Sequence, residues 1–286
     1  MSADTLSLKF YNSHDISIYK NVDVNAKDLM SSDKLKSIGM KALNIKGENI
    51  YLESGELLTD DICNKLGNGD SLFIHDGVYV AGKNPDDKLD ICIAGPGAVG
   101  KSSITLRLIE DTFMDDYNPT VEDLFEHEMT IDGMSIKITI LDMAGQEDFV
   151  GLRTQQMRKK NCYVLVYSLI SSKTFEDLQS FYEHMCDVME DEGAHKSDKP
   201  YVLVGNKCDL YDDIDVTQDM IDKKMKEWLP YKSFKTSAKT GYNVKNMIGS
   251  VLRAAINKKW PPRPIDIDTK NNDIKDNNCC SKCIIL

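Results

Sequence analysis

The chain has 286 residues, 41% of them hydrophobic, so it is long enough for two domains with proper cores. Lys and Arg number 35 against 46 Asp and Glu, a formal net charge of −11, which disfavours a general nucleic-acid-binding protein. The sequence has no apolar run of about 18 residues and no basic segment followed by an apolar one at its start, so it predicts neither a membrane-spanning helix nor a secretory signal.

Residues 1–80 have the pattern of a small α+β domain. Leu6, Leu8 and Phe10 alternate with polar residues, a turn is predicted at 12–15, and a second strand continues from Ile16. A helix is predicted over Asp28–Met40, and short strands around Leu43–Ile45, Ile50–Leu52 and Leu72–Ile74. This order of elements resembles the ubiquitin-like β-grasp, with doublecortin-type domains as a close variant.

Residues 81–88 have the composition of a linker, and residues 89–258 alternate strand-like and helix-like segments. The continuous apolar runs Cys162–Ser168 and Tyr201–Lys207 indicate strands that are covered on both faces, as in a parallel sheet. Asp132 and Gly133 lie between two strand-like runs and predict a hairpin at the sheet edge. The second domain is therefore predicted to be an α/β, doubly wound mixed sheet.

A phosphate-binding loop is predicted directly after the first strand of this domain. Gly95, Gly100, Lys101 and Ser102 fit the pattern G-x-x-x-x-G-K-[ST] between an apolar strand and a helical segment. The glycines let main-chain N–H groups reach phosphate oxygens, the helix directs its positive end at them, and the lysine adds a full charge. The Ser102 hydroxyl is a Mg²⁺ ligand in such loops. The predicted nucleotide contacts also include Gly97, Ala98, Val99 and Ser103.

Two further segments separate guanine from adenine binding. Asn206, Lys207 and Asp209 follow an apolar strand as N-K-x-D, and Ser237-Ala238-Lys239 comes later. With the phosphate loop, these segments resemble the Ras-like small GTPases. The resemblance implies that the Asp209 carboxylate accepts from two guanine donors that adenine lacks. It also implies that the Ala238 N–H donates to the guanine oxygen, Asn206 ties the loops together and the Lys207 stem lies on the ring, with Phe113 stacked on the base.

The same resemblance predicts two switch segments. Residues 117–123, with Tyr117, Pro119, Thr120 and Val121, resemble switch I, and residues 142–147 resemble switch II. Thr120 would ligate Mg²⁺ and contact the γ-phosphate, while Asp142 reaches the metal indirectly. The Gly145 N–H would contact the γ-phosphate and Gln146 would orient the attacking water, so Gln146, Lys101, Thr120 and Gly145 form the predicted catalytic set. Glu122 and Asp123 make the predicted effector face acidic, as in the Ras and Rap subfamily.

These segments predict a GTP phosphohydrolase that uses GTP, GDP and Mg²⁺. From residue 117 through switch II no arginine precedes Arg153, so slow turnover is expected, accelerated by an arginine supplied in trans. The implied partners are an exchange factor, an activating protein and effectors with Ras-binding-type domains, and a monomer without nucleic acid is expected. The alternatives left open are a guanine-nucleotide-binding scaffold with negligible hydrolysis, whose N-terminal domain recruits partners, and, more remotely, a P-loop kinase or ATPase.

The C-terminal residues 259–286 predict a disordered tail with a lipid anchor. Cys283-Ile284-Ile285-Leu286 fits C-a-a-X, and the final leucine favours geranylgeranylation of Cys283. One lipid gives marginal membrane binding, and the lysines of this tail are offset by aspartates, so Cys279 and Cys280 are candidates for palmitoylation. The expected location is the cytoplasmic face of the plasma membrane or of endomembranes.

The N-terminal domain is not expected to cover switch I. β-Grasp domains that bind Ras-like proteins present basic strands to the acidic effector face, and the first two strands here offer only Lys9 and Lys20. A spacer or a partner-recruitment module is the favoured interpretation.

Overall fold

The computed structural model describes residues 5–13, 16, 18–75, 88–113, 122–143, 155, 157–195 and 198–259. These residues form two β-sheets, one in each predicted domain. Within them, no helix has both the length and the apolar character needed to cross a bilayer. The predicted linker residues 81–87 lie outside the described residues.

The N-terminal domain is a four-stranded mixed sheet with one long helix on one face. Its elements are β1 (Thr5–Asn12), β2 (Tyr19–Asn25), α1 (Ser32–Leu43), β3 (Asn49–Leu52), α2 (Asp60–Cys63) and β4 (Ser71–His75). The strand order is β2-β1-β4-β3, with β1 and β4 parallel at the centre. Leu35 and Leu43 of α1 are buried against Leu8 and Phe10 of β1.

Two sequence-based boundaries in this domain are corrected by the structure. The helix begins at Ser32 rather than Asp28, because the Asp60 carboxylate accepts both the Ser32 N–H and the Ser32 hydroxyl at 2.7 Å. The strand predicted around Leu43–Ile45 is wrong. Leu43 is the last residue of α1, and Asn44 ends the helix in the left-handed conformation.

The second domain confirms the predicted doubly wound sheet. Its elements are β5 (Lys88–Ala94), α3 (Lys101–Glu110), β6 (Glu122–Ile131), β7 (Met134–Met143), β8 (Cys162–Ser168), α4 (Ser172–Asp191), β9 (Tyr201–Asn206), a 3₁₀ turn (Tyr211–Asp213), α5 (Gln218–Trp228), β10 (Lys232–Lys235) and α6 (Val244–Lys259). The strand order is β10-β9-β8-β5-β7-β6, and only the edge strand β6 is antiparallel to its neighbour. The predicted Asp132–Gly133 turn joins β6 to β7.

Apolar residues cover both faces of this sheet. Side chains of α3 and α6 pack with Ile91 and Ile93 on one face, and side chains of α4 and α5 pack with Cys92 and Ala94 on the other. β5 lies at the centre, with β8 on one side and β7 on the other. The chain order of the strands reverses direction at β5, which places the loop after β5 in the crevice where open α/β sheets bind ligands.

The two domains contact each other through the sheet face of the N-terminal domain that α1 does not cover. Tyr11, Tyr51 and Phe73 form a buried cluster on that face. The guanidinium of Arg253 in α6 lies 3.6 Å from the centre of the Phe73 ring. This contact is at the end of the second domain remote from the β5–α3 loop.

Candidate nucleotide-binding site

The backbone geometry of the β5–α3 loop requires glycine at two positions. Gly95 has φ of 150°, and a Cβ there would collide with the Val166 carbonyl of β8. Gly100 has φ of 95°, and a Cβ there would collide with the side-chain amide of Asn206. Neither position therefore accepts a side chain without moving a neighbouring element. Among the described residues, a Cβ on Gly97 would meet nothing within 4 Å, and Gly97 is exposed at the mouth of the loop.

Lys101 is held along the inside of this loop. Its side chain is 6% exposed, and its Nζ donates to the carbonyl oxygens of Gly95 and Pro96, both at 2.8 Å. Lys101 is also the first residue of α3, so the main-chain N–H groups of the first turn, including those of Ser102 and Ser103, lie beside it. A buried ammonium and a helix N-terminus at one loop form a site suited to phosphate.

Asn206 joins the phosphate loop to the predicted base-binding loop. It is 2% exposed at the end of β9, and its Nδ2 donates to the Val99 carbonyl at 3.0 Å. Its Oδ1 accepts from the Ala238 N–H at 3.1 Å and from the Thr236 hydroxyl at 3.2 Å. In this structure the Ala238 N–H, predicted to donate to guanine, therefore donates to Asn206 instead. The Ala238 N–H would donate to a base only if its hydrogen bond to Asn206 were broken.

Lys207 links the N-K-x-D segment to the phosphate loop a second time. Its Nζ donates to the Ala98 carbonyl at 2.8 Å, and its backbone is left-handed with φ of 67°. Burial lowers the pKa of this lysine, and the nearby Asp209 carboxylate opposes that effect. The Asp209 side chain is half-buried, and Asp209 follows Lys207 by two residues. The stem of Lys207 thus lies over the phosphate loop next to the predicted base-reading carboxylate.

Arg107 of α3 holds the loop that contains Ser237, Ala238 and Lys239. Its Nε donates to the Ala238 carbonyl at 2.9 Å, and its Nη2 donates to the Lys239 carbonyl at 2.8 Å. Arg107 is not among the site residues predicted from the sequence. The bonded groups are 131 and 132 positions apart, and no motif marks an arginine at this point of the helix.

Asp142, the acidic residue predicted near Mg²⁺, lies within the described residues. It is fully buried at the end of β7, and it lies opposite Ile93, two residues before the phosphate loop. Its carboxylate and the Ser102 hydroxyl are hard oxygen donors of the kind that Mg²⁺ prefers, so the chemistry of the donor set fits this metal. Phe113 follows α3 and packs, half-buried, against the core at the edge of the site.

Several predicted site residues lie outside the described residues. They are Tyr117, Pro119, Thr120 and Val121 of switch I, Gly145 and Gln146 of switch II, and Cys279, Cys280 and Cys283 of the tail. Glu122 and Asp123 are described only as the first backbone positions of β6. The structure thus brings together the phosphate loop, the N-K-x-D segment, the Ser237–Lys239 segment and Asp142.

A central parallel strand that leads into a glycine-rich loop and a helix is the architecture of a P-loop nucleotide-binding protein. The model of the Ras family matches residues 90–257. The Ras-related protein Ral-a of Drosophila melanogaster is 35% identical over 170 residues, which cover 59% of this chain and 81% of the relative. The chain therefore belongs to the Ras family, whose members are small GTPases that act as GTP-binding signalling switches. The match begins at residue 90, so the β-grasp assignment of residues 1–80 stays a prediction.

Proposed function

We propose that this chain is a membrane-anchored switch that binds GTP and GDP with Mg²⁺ and hydrolyses GTP slowly. The observation that carries the proposal is the bonding of Asn206. One buried amide holds the phosphate loop through Val99 and the Ser237–Lys239 loop through Ala238. A side chain that couples these two loops sets the separation between a base and its phosphates, which is what a nucleotide site must fix.

The chain's own groups would bind the phosphates by charge and by main-chain donors. The Lys101 ammonium lies buried along the loop, and α3 presents its N-terminal N–H groups at the same place. Ser102 and Thr120 would hold Mg²⁺, with the buried Asp142 carboxylate behind them. The metal supplies neutralisation of the charge on the β- and γ-phosphates.

The base would be selected by the Asp209 carboxylate. This group is half-buried beside Lys207, and the segment is fixed because the Cys208 N–H donates to the Thr236 carbonyl at 3.0 Å. A fixed carboxylate acceptor favours guanine, since adenine presents no pair of donors to it. Adenine would leave the carboxylate desolvated and without partners.

We infer that hydrolysis depends on Gln146, Gly145 and Thr120, by resemblance to the family. Gln146 would orient the attacking water, while the Gly145 and Thr120 N–H groups would contact the γ-phosphate. A single-turnover GTP assay with and without a Ras-type activating protein tests this proposal. Slow hydrolysis that is strongly accelerated in the wild type and lost in Gln146→Leu is expected. Negligible hydrolysis under both conditions would favour the guanine-nucleotide-binding scaffold instead.

The edge strand β6 supports the proposed effector face. Leu124 is 61% exposed, and the exposed residues Glu126 and Glu128 on the same face of the strand are acidic. An acidic strand at the edge of the described sheet favours partners with a basic strand, because main-chain hydrogen bonds and opposite charges then both stabilise the contact. Capture of effectors by the GTP-loaded chain and not by the GDP-loaded chain is expected. Loss of that capture in Glu126→Lys with Glu128→Lys would locate the contact on β6.

The membrane anchor is proposed from the tail alone. Cys283→Ser should abolish membrane residence, and Cys279→Ser with Cys280→Ser should reduce it, because a single lipid binds marginally. Cys186→Ser, at a half-buried cysteine of α4, is the matched control and should leave residence unchanged. Unchanged residence of the double variant would refute the two-lipid proposal.

A further inference from the structure

A buried ion pair lies at the contact between the two domains. Arg253 of α6 and Asp132 of the β6–β7 turn are 2% and 1% exposed, and the arginine donates to both carboxylate oxygens at 2.8 and 2.7 Å. The N-terminal domain completes this pair. Ser13 donates its hydroxyl to Asp132 at 2.7 Å, and Arg253 donates to the carbonyls of Leu52 and Glu53 at 3.1 and 3.2 Å. A buried ion pair is sustained only when its remaining donors and acceptors are bonded, so its burial depends on the docked domain.

Aromatic and charged side chains extend the contact over a third element of the second domain. Lys232 of β10 pairs with Glu53 of the N-terminal domain and lies 5.5 Å from the Tyr11 ring centre. The Phe73 ring covers the Arg253 guanidinium at 3.6 Å. Cation–π and charge contacts of this kind gain strength where water is excluded. The docked domain therefore touches the β6–β7 turn, α6 and β10 at once.

The main chains of the two domains approach each other without room for a methyl group. The Asp132 N–H donates to the Gly55 carbonyl at 3.1 Å. A Cβ on Gly249 of α6 would lie 2.5 Å from the Glu53 carbonyl oxygen and 2.6 Å from the Ser54 carbonyl. Glycine at position 249 is thus what allows α6 to sit against the loop that follows β3. Such a close fit indicates a fixed interface rather than a loose tether.

Strands β6 and β7 connect the β6–β7 turn, which the N-terminal domain contacts, to the nucleotide site. β6 and β7 each have ten residues, so they span about 30 Å between the turn and the site. β7 ends at Asp142 and Met143, and β6 begins at Glu122, within the predicted switch I. Within the part of the chain that the structure describes, β6 is an edge strand that pairs with β7 alone. β6 starts beside the nucleotide site, so an opening of that end that releases the nucleotide would bend β6 from its start.

We propose that the docked N-terminal domain restrains nucleotide release by fixing the far end of the β6–β7 hairpin against α6 and β10. This inference rests on the proposed nucleotide-binding function and adds a regulatory role for residues 1–80. Opening at the nucleotide end costs more free energy when the turn is held than when it is free.

The test is Gly249→Ala in the full chain, loaded with a fluorescent GDP analogue. Alanine is a better helix former than glycine, so α6 itself is not weakened, and the three atoms nearest to the new methyl group all belong to the docked loop. Release of the analogue should accelerate at least about fivefold. Gly67→Ala, in an open loop of the N-terminal domain where a Cβ meets only one side-chain atom at 4.0 Å, should release it at the wild-type rate.

Amide exchange at the Asp132 N–H measures docking in the same samples. Loss of protection together with faster release supports the proposal, and loss of protection with a wild-type release rate overturns it. Retained protection in Gly249→Ala overturns the close fit on which it rests. As a second test, Glu53→Lys and Lys232→Glu should each accelerate release, and the double variant should restore it because the ion pair is re-formed in reverse. A wild-type chain that binds no guanine nucleotide would instead refute the proposed function and leave the docking measurement intact.

Discussion

The side chain of Asn206 offers the sharpest perturbation of the proposed site. Asn206→Ala removes one donor and one acceptor from a position that is 2% exposed. The Val99 carbonyl and the Ala238 N–H then lose their partners, as does the Thr236 hydroxyl. The phosphate loop and the Ser237–Lys239 loop would no longer be joined by a side chain at this point, so both should become less ordered.

The magnitude follows from the two main-chain groups. A buried main-chain group without a partner costs about 1–3 kcal/mol, so two such groups cost about 2–6 kcal/mol. The truncated side chain leaves room that water can enter, which favours the lower end, about 2–3 kcal/mol. The free energy of unfolding should fall by that amount. GDP binding should weaken as well, because the two loops must be ordered again when GDP binds; since about 1.4 kcal/mol corresponds to a tenfold change, this loss is at most about 30- to 150-fold. Thr236→Val removes one hydroxyl donor only and should weaken binding by less than about tenfold.

The assay is an equilibrium titration with a fluorescent GDP analogue, followed by thermal melting of the same samples. Asn161→Ala is the matched control, because Asn161 accepts the Asp90 N–H at 2.8 Å at the opposite end of β5. This control should lower the melting temperature and leave GDP affinity unchanged. Asn206→Ala with GDP affinity within threefold of wild type would refute the coupling role of Asn206.

Four further variants test the loops and one half-buried carboxylate. Gly95→Ala should abolish nucleotide binding because its Cβ collides with β8, whereas Gly97→Ala, in open space, should retain it in the same titration. Arg107→Met should speed GDP release about tenfold, since two hydrogen bonds to the carbonyls of Ala238 and the next residue are lost; an unchanged rate would contradict this role. The pKa of Glu192 is lowered, because hydrogen bonds from a lysine side chain and a main-chain N–H outweigh the burial that raises it. Its stabilising effect is therefore complete above the ordinary value of 4.5 and is lost as pH falls through the lowered pKa. Glu192→Gln should lower the melting temperature at pH 7, with a gap that narrows below pH 4.5, and a constant gap would contradict this assignment.

The phosphate loop and the sheet could be predicted because their signals are local. Gly95 and Gly100 are needed by their own backbone angles, and the apolar runs of β8 and β9 report burial on both faces. The hairpin at Asp132 was likewise visible as a two-residue turn between strand-like runs.

Other features could not be predicted because their partners are distant in the chain. The start of α1 depends on Asp60, 28 positions from Ser32, and the loop contacts of Arg107 span more than 130 positions. The pairing of Arg253 with Asp132 spans 121 positions and turns an ordinary hairpin residue into the centre of the domain contact. The expectation that residues 1–80 form a spacer or a recruitment module stays a prediction. The contacts of the described residues place this domain on the β6–β7 turn, α6 and β10.

The proposed site depends on a fixed carboxylate at position 209, which selects guanine while the phosphate loop holds the phosphates. The most direct measurement is a competition titration of the full chain with GDP and ADP in the presence of Mg²⁺, repeated on Asp209→Ala. We expect the wild type to prefer GDP by at least about a thousandfold and the variant to lose most of that preference. Equal affinity of the wild type for the two nucleotides would contradict the account.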